Sequence, residues 1–516
     1  MKKSILFLFF LSCGFVVQAQ TNQSTIDART LKQAGDSDDS YCLQRAVNLA
    51  ITTNQTVVLR KGTWIVNNNP VFILVPMGKT VKIKGEAGNL IDFMCSGAEG
   101  AVFKTSDTYD YIINWGTIIL EGLNFIGSRN PIAPNSLTNF ARPILLRDCE
   151  RIEIRNCSFK NIYGSALAVG AAGSGVIENN DFQSVYGREK TVDAYGDAIT
   201  VYAKTQNFII TRNTAKVKKG EIGRCGISVD DRCNHIKVTN NTIEGYERGV
   251  HIETSKAILI SNNTITKSPI AGLSAQNQNV TWENNSFDAN NRTNDPILAA
   301  SGVFFAYLDS ACIYRNNTIK FWHGVKDTYL AKFWGHDLLI ENNRFTQANG
   351  GEVFGYGHNR RNRYLGNKFE GKSSLRLDET TANSVENNEF WGGTVIAHNT
   401  KDLAIKNNQF RPDVGESLGK GVIVYNSTNP VVSGNAFYNP ATYVVENSLT
   451  KKLICEDNTY YRTVSGLGEA GNGFFYADAT LPETNLIKAT KKNRIKDTRE
   501  NKSYHVNGSG KAYLAQ

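Results

Sequence analysis

In the stretch IKVTNNTIEGYERGVHIETSKAILISNNTI, residues 236–265, the phrase VTNNTI returns as ISNNTI after 22 residues. Between the copies stands Arg-Gly-Val-His-Ile-Glu, residues 248–253. The same phrase recurs as IEIRNCSF from 152, GVIENNDF from 175, FIITRNTA from 208, VTWENNSF from 280, CIYRNNTI from 312, LLIENNRF from 338, SVENNEF from 384 and LAIKNNQF from 403. Less regular copies follow at RYLGNKF, PVVSGNAF and KLICEDNTY. Copies are spaced by about 20 to 33 residues, the period of a solenoid. Each unit alternates β-branched residues, then places Asn, then an aromatic or Ile, which predicts a short strand, a turn and another inward residue. Asn suits such a turn because it tolerates left-handed backbone angles. Stacked copies can also pass amide hydrogen bonds along the axis. One strand per turn, stacked in register, makes an all-β fold, a right-handed parallel β-helix. No stretch holds a 3.6-residue apolar period for long, so long helices do not compete.

A β-helix must cover its open ends. DSDDSYCLQRAVNLAITTNQTVVLRKGTWIV, residues 36–66, predicts an N-terminal cap. Asp38 or Asp39 would cap a helix with Leu43, Ala46, Val47 and Ala50 on one face, followed by a strand. The expected organisation is a signal peptide over 1–19, an N-terminal cap over 25–80, the β-helix over 81–462, and a C-terminal cap or tail over 463–516. The signal reading rests on Lys2 and Lys3, the apolar run from Ile5 to Val17, and the cleavage site Val17-Gln18-Ala19. The expected location is secreted or periplasmic. Leu11-Ser12-Cys13 leaves a lipid-anchored N-terminus as the minor alternative. No later segment is apolar enough for a membrane span.

The 516 residues carry a net charge of +9, with Lys and Arg spread along the chain. That suits an anionic partner without the concentrated basic block of a nucleic-acid binder. The expected partner is an acidic polysaccharide, bound by a monomer. Eight cysteines follow the leader, none spaced as CxxC, so zinc is not expected. Cys225 with Cys233 is the pair expected by proximity, although a buried structural role is the better default for each.

Strand parity sorts the residues. In AYGDAITVYA, GRCGISVDD, YERGVHIET and PIAGLSAQN, the pairs Ile199 and Val201, Ile227 and Val229, Val250 and Ile252, and Leu273 and Ala275 should face inward. The outward ladders are then Thr200, Ser228, His251 and Ser274, and Tyr202, Asp230, Glu253 and Gln276. Asp230 and Glu253 fall on successive rungs, about 5 Å apart. One of two adjacent carboxylates should have a raised pKa, or a cation should sit between them. Such a pair suits retaining glycoside hydrolysis. It could also hold calcium, the one cofactor considered. Candidate catalytic residues are therefore Asp197, Asp230, His251, Glu253 and Arg248, with Tyr195, Tyr202, Arg224 and Arg232 as substrate contacts. His251, Arg248, Tyr195 and Tyr202 could serve as base, charge neutraliser and proton donor of an elimination. Outward polar residues are also ordinary on any soluble β-helix.

Two further groups stand out. GHNRRNRYLGNKF, residues 357–369, offers His358, Arg360 and Arg361 to a carboxylate or sulfate. FWHGVKDTYLAKFWGHD, residues 321–337, offers Trp322, Tyr329 and Trp334 for stacking on sugar rings. A solvated turn and ordinary packing are the plain alternatives.

The cap resembles the opening of pectin-lyase-like β-helix proteins, in which a DD-x-x-x-[IL]-Q-x-A-[IV] helix precedes a strand and a G-T-[WY] turn. With the Asn repeats, the resemblance covers about residues 25–462. It implies the fold and a choice among polysaccharide lyase, glycoside hydrolase, sugar epimerase and tailspike. The polygalacturonase branch carries Asn-Thr-Asp, Asp-Asp, Gly-His-Gly and Arg-Ile-Lys on successive rungs. Here Asp197 fills one slot, Cys225 stands where the His would fall, and Asp230-Asp231 comes after the strand, so that mechanism does not transfer. The epimerase motif Tyr-Gly-x-Asp-Pro-His is matched only at Tyr195-Gly196-Asp197. The chondroitinase and alginate lyase lysine motif has no match. Three readings stay open: β-elimination of an acidic polysaccharide, placed first; hydrolysis by Asp230, Glu253 or Asp197; and a noncatalytic β-helix that binds glycans. Loops 127–142, 183–197, 216–224 and 288–300 would set the substrate.

Overall fold

A computed structural model describes residues 24–67, 69–95, 100–105, 112–127, 140–187, 195–289, 302–321, 329–347, 351–357, 359–413, 416, 418–439, 445–462, 475–477, 493–497, 502–506 and 512–514. The leader expected over 1–19, with Cys13, and the candidates Trp322 and His358 lie outside these residues. Among the described residues no helix is long and apolar enough to cross a membrane.

The chain winds into a solenoid with three parallel sheets. Each strand pairs in register with the strand one turn on, as when Thr242, Ile243 and Glu244 meet Thr264, Ile265 and Thr266. Inward side chains form one continuous apolar core from Ile26 to Tyr460.

The doubled Asn builds the corner between two sheets. The first Asn takes the left-handed backbone, as at Asn240 (φ 57°), Asn262 (φ 56°) and Asn284 (φ 55°). The second is buried and joins a ladder. The Asn263 Nδ2 donates to Asn285 Oδ1 at 3.0 Å and to Val238 O at 2.9 Å, and its backbone N donates to the same Asn285 oxygen. The pattern runs from Asn180 through Asn213, Asn241 and Asn263 to Asn458 and Asn493. Buried amides are thus satisfied rung by rung, which removes the cost of burying them. The aromatic that follows the Asn turns inward and stacks on its copies: Phe369, Phe390, Phe410 and Phe437 lie 4.4, 4.9 and 4.8 Å apart, nearly coplanar.

The helix Ser40–Thr53 covers the N-terminal end with Leu43, Ala46, Val47 and Ala50 buried. Asp38 Oδ1 accepts from Ser40 N, while Asp38 Oδ2 and Asp39 Oδ2 accept from Asn67 N and Ile65 N. The Asp pair therefore ties the helix start to the strand Gly62–Asn67 rather than acting as a simple cap. At the other end Arg494–Asp497 adds a parallel strand, and Lys502–Val506 and Ala512–Leu514 pair antiparallel beyond it.

Two expectations are corrected. Cys225 and Cys233 are not paired; every described cysteine is a buried thiol. Cys225 begins the strand Cys225–Val229 and Cys233 follows its end, so the extended strand holds them apart. The fourth rung of the outward ladders is shifted by one. Leu273 stands beneath His251, and Ser274 beneath Ile252. Ser274 turns inward because a buried acceptor waits there, and its Oγ donates to Asp309 Oδ2 at 2.5 Å.

Candidate active site

On the sheet formed by Ile144–Arg147, Leu167–Gly170, Ile199–Tyr202, Cys225–Val229 and Arg248–Glu253, two outward columns run along the solenoid. One is Leu145, Ala168, Thr200, Ser228 and His251. The other is Arg147, Gly170, Tyr202, Asp230 and Glu253. Small residues in the first column leave a groove of about 450 Å³ lined by Arg142, Arg147, Thr200, Tyr202, Arg224 and Asp230, among others. A Cβ on Gly170 would lie 2.9 Å from the Tyr202 ring, so glycine is what lets Tyr202 lie across that rung. The Arg147 Nε then donates to Tyr202 Oη at 2.6 Å.

Asp230 and Glu253 follow the paired residues Val229 and Ile252, so they stand on neighbouring rungs. Their titration is split. Burial raises the Asp230 pKa from its ordinary value, and the Glu253 charge acts in the same direction. The His251 hydrogen bond lowers that of Glu253, and the charges of His251, Arg248 and Arg224 act in the same direction. His251 Nε2 lies 3.1 Å from Glu253 Oε2, while its Nδ1 lies 3.9 Å from Cys225 Sγ. His251 is thus buried between thiol and carboxylate, with 8% of its side chain exposed. Its ring is turned to Glu253 and little of it is open to solvent.

Asp197, expected in catalysis, is a buried tether. Arg224 Nε donates to Asp197 Oδ1 at 2.8 Å and Arg224 Nη2 to Asp197 Oδ2 at 2.5 Å. Thr200 Oγ1 and Cys225 N also donate to it. Tyr195 is packed too, stacked on Phe140 at 4.4 Å with the Arg142 guanidinium 5.4 Å from its ring. Arg232 is exposed on the corner beyond Asp231 and does not line the groove. Two groove arginines were not singled out from the sequence. Arg147 was legible, because the column through Tyr202, Asp230 and Glu253 reaches it two rungs before Tyr202. Arg142 precedes its strand and has no parity to betray it.

The other groups lie downstream. Arg361 is committed to Asp337 through two bonds of 2.6 Å, which hold that carboxyl well below its usual range. Arg360 is exposed beside a cavity of about 600 Å³. Trp334 faces outward against Tyr307 and Tyr356. The structure does not bring these residues to the Asp230 groove.

The right handed beta helix region family matches residues 111–265 and 222–321. The family match and the three parallel sheets agree on a right-handed parallel β-helix fold. The β-helix is similar to a Yersinia enterocolitica family 28 exopolygalacturonase (10% identity, 83% of this chain and 78% of that, TM-score 0.40). It is similar to the tailspike of E. coli bacteriophage HK620 (11% identity, 90% and 77%, TM-score 0.46). It is also similar to PfbA, a surface adhesin of Streptococcus pneumoniae (14% identity, 95% and 98%, TM-score 0.36). No curated protein matches the chain.

Residues 323–493 match the NosD family, described as a periplasmic copper-binding protein. Copper favours thioether, thiolate and imidazole ligands. That segment of the β-helix has no Met, and its one cysteine, Cys455, is fully buried with its thiol pKa raised. Among the described residues no group of three or more His, Cys, Asp or Glu is placed to hold a metal. The described histidines of that segment, His336 and His398, stand apart beside Asp337 and Asp378, so the described residues there do not gather a copper site. Asp230 and Glu253 offer fewer oxygens than the roughly six to eight calcium takes.

Proposed function

We propose that this β-helix is a secreted enzyme that binds an acidic, uronate-containing polysaccharide in the Asp230 groove and hydrolyses it. The observation that carries the reading is the split carboxylate pair. Neighbouring acids whose environments push their pKa values apart supply one proton donor and one ionised group. Asp230 would protonate the glycosidic oxygen. Glu253, held by His251, would attack the anomeric carbon as the leaving oxygen departs, since adjacent-rung spacing of about 5 Å implies retention; water, deprotonated by Asp230, would then break the glycosyl ester and free Glu253. Arg142 and Arg147 line the same groove and suit the carboxylates of the substrate, while Arg224 is held by Asp197.

A second observation favours β-elimination. Arg147 Nε donates to Tyr202 Oη, so a cation and a phenol stand together in the groove, where one could neutralise a uronate carboxylate and the other take the C5 proton. A noncatalytic glycan-binding β-helix is the third.

Incubation of the purified chain with acidic and neutral polysaccharides, with and without chelator, separates them. New reducing ends without ultraviolet absorbance support hydrolysis. Absorbance of a conjugated double bond means elimination. Binding with neither signal leaves the noncatalytic reading.

A further inference from the structure

Beyond Glu253 the outward column continues through Ala275, Tyr307, Trp334 and Tyr356. Three aromatics on successive rungs therefore face out where the groove had charged residues. Tyr307 and Trp334 lie 4.7 Å apart, and Trp334 and Tyr356 lie 6.3 Å apart, in each case nearly perpendicular. Tyr356 is 42% exposed. Beside this column, at the corner that ends the sheet, lies the cavity of about 600 Å³. It is lined by the next residue of each rung, Leu308, Gly335 and Gly357, and by Arg360.

The glycines open this corner. A Cβ on Gly335 would lie 2.2 Å from the Asp309 carbonyl oxygen, and Gly357 has φ 67°. Neither position accepts a side chain without strain. Arg361 next door is bound to Asp337. Arg360 makes no ion pair among the described residues.

We infer that the Tyr307–Trp334–Tyr356 column and Arg360 form a second glycan-binding site, which takes an acidic oligosaccharide with its rings against the aromatics and a carboxylate on the guanidinium. Flat aromatic faces bind sugar rings with small loss of side-chain freedom, and Arg pairs with a carboxylate through two hydrogen bonds. Trp334 stands three rungs beyond Glu253, roughly 14 Å along the axis. One polymer chain can therefore occupy both sites, while a disaccharide cannot. The choice of an acidic ligand rests on the proposed groove chemistry; the existence of the site does not.

Calorimetry on the Glu253→Gln chain, with uronate oligosaccharides from disaccharide to octasaccharide and neutral oligosaccharides of the same lengths, tests this. Binding of the long acidic ligands is expected to weaken about tenfold with Trp334→Ala and with Arg360→Gln. Arg360→Gln should not weaken binding of a neutral ligand. Arg360 is exposed, so that variant tests the site even where Trp334→Ala unfolds. Unchanged affinity in folded Trp334→Ala and Arg360→Gln chains, or no binding of any long oligouronate, overturns the inference. Persistent turnover in the Glu253→Gln chain would instead sink the hydrolytic reading and leave the binding result intact.

Discussion

Arg224 grips Asp197 with two parallel hydrogen bonds under the floor of the groove, and 3% of the Asp197 side chain is exposed. The pair anchors the start of two successive rungs, so it supports the site without reacting in it.

Removing one partner of such a pair strands the other in a poorly solvated place, at a cost of roughly 3 kcal/mol or more. Asp197→Ala is expected to lower the thermal unfolding midpoint clearly, read by circular dichroism. A variant that melts like the parent would show that the tether carries no stability.

Activity by hydrolysis needs Glu253 ionised and Asp230 protonated. Glu253 titrates below its usual value and Asp230 above, so the pH profile should be bell-shaped with an acidic optimum. Glu253→Gln should cut turnover about 10²- to 10⁴-fold. It should also let Asp230 titrate lower, since the Glu253 charge helps raise it. A residual basic limb that stays where it was would contradict that coupling.

Asp309 sits in a buried ladder position. Asn277 N and the hydroxyls of Ser274 and Tyr314 donate to it at 2.8, 2.5 and 2.5 Å. Burial raises its pKa from 3.8 to about 6. A raised folded-state pKa favours the protonated form, so its contribution is present below about pH 4 and is lost as pH rises through 6. At about 1.36 kcal/mol per unit, the change is at most ~3 kcal/mol. Denaturant titrations across this window should show the fall, and Asp309→Asn should flatten it.

The two Asn of each repeat should respond differently. Asn285→Ala removes bonds to Asn317, Ile260 and Asn263 from a buried ladder and should cost about 2–3 kcal/mol. Asn284→Gly should be near neutral, because glycine accepts its φ of 55°, whereas Asn284→Val should cost about 1–3 kcal/mol. Equal effects at the two positions would contradict this division of labour.

The solenoid was legible because its causes are local and repeated. The second Asn meets its own copy in the next rung, and the inward Ile, Val and Phe meet theirs, so pattern and contact coincide. The column of Tyr202, Asp230 and Glu253 followed from parity alone, since extended strands alternate faces. Parity failed at Leu273 because the partner that draws Ser274 inward, Asp309, lies 35 residues away. It was silent on Asp197, whose burial depends on Arg224 one rung on, and on Arg142, which stands outside any strand. It could not show that Cys225 and Cys233 are held apart by the strand between them. Nor could it say which carboxylate of the pair holds its proton. Sequence by itself determined the fold and the outward column of the site. Tertiary structure alone decided which charges are tethers and which face the groove, because burial and partnership across rungs are properties of the assembled coil.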